Sequence, residues 1–315
     1  MSRIDTIFAS LRSRNAKALM PFLVGGHPAP GSTAALLPAL EQAGASIVEI
    51  GIPFSDPIAD GPVIAAAMHE ALKNGATPRS VFSEVQSVRG ATQIGIVAMI
   101  SMSIIQRMGS IAAFIAAAKE AGFDGLIVPD APLEESTELI LAAKEADIAY
   151  SHLISPTTPL PRVELIAKTC TGFVYVLARV GLTGEQSSMP NIAPLVVRVR
   201  SVTDLPIAVG FGISAPEHVA AVVAHADAAI VGSALVRRLT QAAEERKDIA
   251  REAALFVGNL LEGPPFSTVP PPVPPPVPPT SAALEASQCP EPHVEPSPGP
   301  SAEPQNSRDD PRSER

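Results

Sequence analysis

Glu49 and Asp60 stand in one short stretch, residues 48–61, VEIGIPFSDPIADG, on two different supports. Glu49 lies near the end of an apolar, β-branched run, and Asp60 lies in the Gly/Pro-rich segment that follows. Acids held so differently take different protonation states, and such a pair can do acid–base work on an uncharged carbon skeleton. Strand alternation puts Ile47 and Glu49 on one face, with Val48 and Ile50 on the other. On either face of a buried strand a carboxylate meets apolar side chains, which raise its pKa. Each acid also has an ordinary reading. Glu49 could cap a loop or pair with a surface base, and Asp60, just before Gly61 and Pro62, could N-cap a helix. Asp56 precedes Pro57, which fits a turn.

A second constellation suits phosphate. VGFGIS (209–214) and VGSA (231–234) each lead from an apolar run into a helical stretch, and GLTG (181–184) is placed to supply a third wall. Glycines let backbone N–H groups approach an anion at a helix N-terminus, and Ser233 can add a hydroxyl. Glycine at a strand–helix turn is also the default residue, so no one of these segments is specific alone. Phe22 and Tyr175 sit on strands, where they could floor an aromatic pocket or simply fill a core. No core lysine falls at the end of a strand, which argues against a Schiff-base aldolase. His27 and His152 could approach one another, yet no HxH, HxxxH or third ligand completes a metal set. A polar loop histidine and a strand-buried histidine are the expectation.

The elements that must position these groups repeat regularly. Apolar, β-branched runs at 19–24, 46–50, 94–99, 125–128, 148–154, 173–178, 207–210 and 228–231 read as strands. Between them, helical periodicity marks 32–43, 63–72 with 79–88, 111–121, 134–146, 160–168, 194–201, 215–224 and 234–245. Runs without polar alternation suit parallel strands buried on both faces. Eight strand–helix units predict an α/β fold, a (β/α)8 TIM barrel, with chemistry at the C-terminal ends of its strands. An open doubly wound sheet is the alternative, but its usual GxGxxG turn is replaced by VGGHPAP (24–30). Ile4, Ile7, Phe8 and Leu11 have helical spacing and predict an extra N-terminal helix. Arg3, Arg12 and Arg14 keep a transit peptide as the second reading of that segment.

Composition changes near Gly263. Residues 264–315 hold half of the 34 prolines and few large apolar residues, so this tail is expected to be disordered beside a 1–263 barrel domain. Its VPPPVPPPVPP run (269–279) predicts polyproline II, as a spacer or as a ligand for a proline-binding domain. The net charge of −9 without a basic stripe argues against nucleic-acid binding. Cys170 and Cys289 form no disulfide framework, which fits a reducing cytoplasm, and no apolar run reaches membrane-spanning length.

Together these segments resemble the tryptophan synthase alpha chain family over nearly all of residues 1–261. VEIGIPFSDPIADG is the most specific match, joined by MPFLVGG (20–26), GFDGLIVPDAPLEE (122–135), SPTTP (155–159), GFVYVLARVGLTG (172–184), GFGIS and VGSALV. The resemblance implies a lyase that cleaves indole-3-glycerol phosphate to indole and glyceraldehyde 3-phosphate without metal or Schiff base. It implies Glu49 as the acid–base group moving protons between the glycerol hydroxyl and indole C3, with Asp60 holding the indole N–H. By the same carry-over Phe22, Tyr175, Thr183 and Phe211 line the indole pocket, and Gly184, Gly212, Gly232 and Ser233 bind phosphate. Pro53, Asp56 and Asp130 match positions near loops that face a partner. That partner is a pyridoxal-phosphate beta chain in an alpha2–beta2 tetramer, so no cofactor is expected in this chain. Three features depart from the family pattern. MISMSIIQRMG (99–109) carries Ser101 and Ser103 where a tyrosine and an asparagine are common; His27 stands where Asp or Tyr is usual; and the tail has no counterpart. The first departure bears on partner affinity and leaves a stand-alone lyase as an alternative, with a non-catalytic regulatory subunit as another.

Overall fold

The computed structural model describes residues 1–57, 60–179, 191–210, 212–262 and 266. Among them nine parallel strands alternate with helices: β1 (Ala18–Val24), β2 (Ile47–Gly51), β3 (Gly95–Met99), β4 (Gly125–Ile127), β5 (Ala149–Ser151), β6 (Leu153–Ile154), β7 (Val174–Leu177), β8 (Ile207–Gly210) and β9 (Ala228–Val231). Their order is β5-β4-β3-β2-β1-β9-β8-β7-β6. β5 and β6 are the two halves of one expected strand, broken at His152, whose backbone N–H turns to Cys170 Sγ at 3.3 Å. The first half pairs with β4 and the second with β7. Nine strands therefore fill eight positions around a barrel closed except for this step. The open-sheet alternative is excluded.

Alternate residues of each strand separate two cores, as the period of a strand requires. Val48, Ile50, Ile96, Ala98, Val174 and Val176 belong to the outer core shared with the helices. Met20, Ile47, Val97, Ile127, Tyr175, Ala208 and Ile230 point into the barrel. The expected N-terminal helix is α1 (Arg3–Ser13), opened by a Ser2–Asp5 capping box. Its Ile4, Phe8 and Leu11 join the interior cluster and stop the N-terminal end of the barrel. A Cβ on Gly95 would lie 2.8 Å from Ile4 Cδ1, so the plug seats where that strand carries no side chain.

The outer ring comprises α2 (Ser32–Gln42), α3 (Pro62–Lys73), α4 (Pro78–Val88), α5 (Met102–Arg107), α6 (Ile111–Ala121), α7 (Thr137–Glu145), α8 (Leu160–Thr169), α9 (Ala193–Arg200), α10 (Pro216–Val223), α11 (Ser233–Glu244) and α12 (Ile249–Leu260). Two of these were not expected. Ser101 caps α5, and Asp248 caps α12 by accepting from the N–H groups of Ala250 and Arg251. The helix expected over 134–146 begins at Thr137, after a 3-10 turn at Leu133–Glu135. Phe266 lies past the expected domain limit, yet it packs half-buried against the outer core.

Candidate functional site

At the C-terminal ends of the strands a cavity of about 480 Å³ opens, and Glu49, Asp60, Phe22, Tyr175, Gly212, Gly232 and Ser233 all line it. β2 places Glu49 on the inward face, in register with Phe22 on β1 and Val97 on β3. The side chain is fully buried, and neither carboxylate oxygen has a hydrogen-bond partner among the described residues. Burial, reinforced by the charge of Asp60, raises its pKa from 4.5 to about 8. That is the state of an acid which keeps its proton at neutral pH.

Asp60 stands on the chain leading into α3. The helix is capped by the backbone of Gly61 with Pro62 in its first turn, so Asp60 is not the N-cap. Its carboxylate lines the cavity instead, and burial raises its pKa from 3.8 to about 6. Between about pH 6 and pH 8 the pair therefore holds one proton on Glu49 and a negative charge on Asp60. Tyr175, across the barrel on β7, is driven well above the ordinary phenol range by burial and by both acids, so its hydroxyl stays protonated. Two glycines make room for the aromatic rings. A Cβ on Gly51 would fall 2.6 Å from Phe22 Cζ, and one on Gly210 would fall 2.8 Å from the Tyr175 hydroxyl.

The other end of the cavity is built by the turns after β8 and β9. Gly212 adopts φ +73°, a conformation that suits glycine. Ser233 begins α11, whose N-cap Gly232 supplies no side-chain cap, which leaves first-turn N–H groups to face an anion. Thr183, Gly184 and Phe211, expected at this end and in the aromatic pocket, lie outside the described residues.

Of the three residues expected near a partner, Asp56 and Asp130 are exposed and line the cavity rim, whereas Pro53 is buried and does not line it. Asp130 is also tied inward: Ser101 Oγ donates to Oδ2 at 2.6 Å, and the Met102 N–H donates to Oδ1 at 2.9 Å. The two histidines are held apart. His27 is not the polar loop residue expected from the sequence, since it is 1% exposed. Its Nε2 lies 3.0 Å from Thr240 Oγ1, its Nδ1 lies 3.4 Å from Glu70 Oε2, and burial lowers its pKa to about 4. His152 is buried at the break between β5 and β6 rather than within a strand, edge-on to Tyr150 with ring centroids 4.8 Å apart. Among the described residues no group of three His, Cys, Asp or Glu side chains is placed to hold a metal.

Sequence reasoning missed most of the apolar lining, including Phe54, Ile64, Met68, Met99, Leu153 and Leu177. Met99, Leu153 and Leu177 alternate inward on strands already recognised, so their parity could have found them. Phe54, Ile64 and Met68 reach the cavity from the β2–α3 connection and from α3, for which the sequence offers no comparable signal.

Comparison with known proteins agrees with this geometry. A family profile described as "Tryptophan synthase alpha chain" matches residues 8–263. The tryptophan synthase alpha chain of Solibacter usitatus is 42% identical over 245 residues, spanning 78% of this chain and 91% of that one. That of Chloroflexus aggregans is 45% identical over 251 residues, spanning 78% and 93%. Among solved structures, tryptophan synthase subunit alpha from Legionella pneumophila superposes with a TM-score of 0.74 at 32% identity, covering 82% of this chain and 97% of its own. A chain of tryptophan synthase from M. tuberculosis gives 0.73 at 32% identity, covering 82% and 98%. No described helix is long and apolar enough to cross a membrane. The profile, the relatives and the fold leave one assignment: the chain belongs to the tryptophan synthase alpha chain family.

Proposed function

We propose that Glu49 and Asp60 carry the reaction of this family, the cleavage of indole-3-glycerol phosphate to indole and glyceraldehyde 3-phosphate. Family membership makes the chain a carbon–carbon lyase and the alpha subunit of tryptophan biosynthesis. The observation that carries the residue roles is the fully buried Glu49 carboxyl, without a protein partner, in an apolar cavity shared with Asp60.

Protonated Glu49 gives its proton to C3 of the indole ring, and the Asp60 carboxylate accepts a hydrogen bond from the ring N–H as positive charge develops. The carboxylate left on Glu49 then takes the proton of the hydroxyl on the adjoining glycerol carbon. An aldehyde forms as the carbon–carbon bond breaks, and its electron pair returns to the ring, releasing neutral indole. Glu49 ends as it began, and the protonated ring itself is the electron sink. Gly212, Gly232 and Ser233 hold the phosphate, fixing the reacting carbons against the two acids. Phe22 and Tyr175 flank the ring.

We assign the pyridoxal phosphate of the complete enzyme to the beta partner, with none in this chain, and the assembly to an alpha2–beta2 tetramer in the cytoplasm. Pro53, Asp56 and Asp130 stand on the loops assigned to that contact. The alternative of a non-catalytic regulatory subunit is disfavoured by two acids facing one cavity. The test is release of indole from indole-3-glycerol phosphate by the chain alone and with a beta chain. Stimulation by the beta chain is expected, and full turnover without it would favour the stand-alone lyase.

A further inference from the structure

The phosphate-facing turns follow β8 and β9, the seventh and eighth strand positions, and β3 and β4 occupy the third and fourth. In a closed barrel of eight positions these pairs lie diametrically opposite. A substrate gripped at its phosphate by Gly212, Gly232 and Ser233 therefore points its far end at the wall formed after β3 and β4. For an indolyl glycerol phosphate that end is the benzo edge of the ring. The wall includes Ser101, Ser103, Pro129 and Asp130 beside the apolar Met99 and Ile100, all lining the cavity, with Ser103, Pro129 and Asp130 exposed at the rim.

Two properties of this wall stand out. Its serine side chains are short, and their hydroxyl protons are engaged within the wall. Ser101 Oγ spends its proton on Asp130 Oδ2 at 2.6 Å, so the 2.8 Å contact with Ser103 Oγ requires Ser103 to donate. The backbone N–H of Ser103 also points at Ser101 Oγ, at 3.2 Å. The network leaves the wall with acceptors and no free donor proton. An ionised carboxylate has about four lone-pair sites, and Asp130 spends them on the Ser101 hydroxyl and the Met102 N–H alone among the described residues.

Resting on the lyase reading, we infer that the wall of Ser101, Ser103 and Asp130 sets ring specificity, admitting indolyl glycerol phosphates whose benzo ring carries a hydrogen-bond donor. A hydroxyl there meets Asp130 or Ser103 as acceptor. A methyl at the same carbon occupies the space but covers those acceptors without a partner, which sites of this kind penalise.

The full chain with a beta chain is assayed for glyceraldehyde 3-phosphate formation from three substrates: the parent, a benzo-ring hydroxyl derivative and the matching methyl derivative. The hydroxyl substrate is expected within about tenfold of the parent in kcat/KM and at least about tenfold above the methyl one. Ser101→Phe is expected to lower the hydroxyl-to-parent ratio by about thirtyfold or more by filling the gap. A hydroxyl substrate no better than the methyl one overturns the inference, as does an unchanged ratio in Ser101→Phe. Should that variant fail to fold, the ranking by the wild-type chain decides alone. Parent cleavage with rejection of both derivatives removes only the specificity, whereas failure on the parent removes the lyase reading and the inference with it.

Discussion

At the residue scale, the proposed chemistry depends on a carboxyl that keeps its proton where most lose theirs. Glu49→Gln preserves shape and abolishes proton exchange, so kcat for indole release is expected to fall by about 10³-fold or more with substrate binding largely retained. A loss of less than about tenfold, ~1.4 kcal/mol of barrier, would remove Glu49 from the mechanism. The two pKa values also fix the pH profile. Activity should rise as Asp60 ionises near pH 6 and fall as Glu49 loses its proton near pH 8. In Asp60→Asn the falling limb should move to lower pH, because the negative charge that helps hold the proton on Glu49 is gone; an unmoved limb would separate the two groups.

The same shift is linked to stability. Because the folded state raises the Glu49 pKa from 4.5 to about 8, its contribution is fully present below 4.5 and is lost as pH rises through 8. Melting temperatures of the wild type and Glu49→Gln should therefore diverge in favour of the variant between pH 5 and pH 9. Both acids were legible as candidates in the sequence, although parity alone left the inward face of β2 open and Asp60, just before Gly61 and Pro62, read equally well as an N-cap. His27 was not, because its burial depends on α3 and α11 closing over a residue that looks like part of a polar loop.

At the element scale, every strand was legible to within a residue or two because both faces are apolar, which leaves a signal without competing periods. The break at His152 was not, since the apolar run at 148–154 continues through it and only the change of pairing partner interrupts the ladder. α5 and α12 were passed over although Ser101 and Asp248 stand at their caps. For α12 the cap is a direct test. Asp248→Ala should lower stability by about 1 kcal/mol in denaturant unfolding by removing the acceptor for two N–H groups. The α1 plug carries more. Phe8, with its ring 6.0 Å from that of Phe173, sits 4% exposed against the barrel interior. Phe8→Ala should cost about 3–5 kcal/mol, measured the same way. A change under about 1 kcal/mol would mean that α1 merely rests on the barrel.

At the scale of the whole molecule, one described residue beyond the expected barrel bears on where a truncation should fall. Composition placed the domain limit at Gly263, yet Phe266 packs on the outer core, so a truncation meant to spare the enzyme should keep that ring. Removal of residues 269–315 is expected to leave indole release, with the beta chain present, within about twofold of the full chain. A larger loss would give the proline-rich segment a part in the reaction or the assembly. The barrel also has a sense of traffic. With Ile4, Phe8 and Leu11 sealing its floor, the described part of the barrel is a vessel with its doorway at the strands' C-terminal ends, the sill that substrate, aldehyde and indole would cross. Whatever protein sits on that sill decides whether indole escapes to water or is handed on.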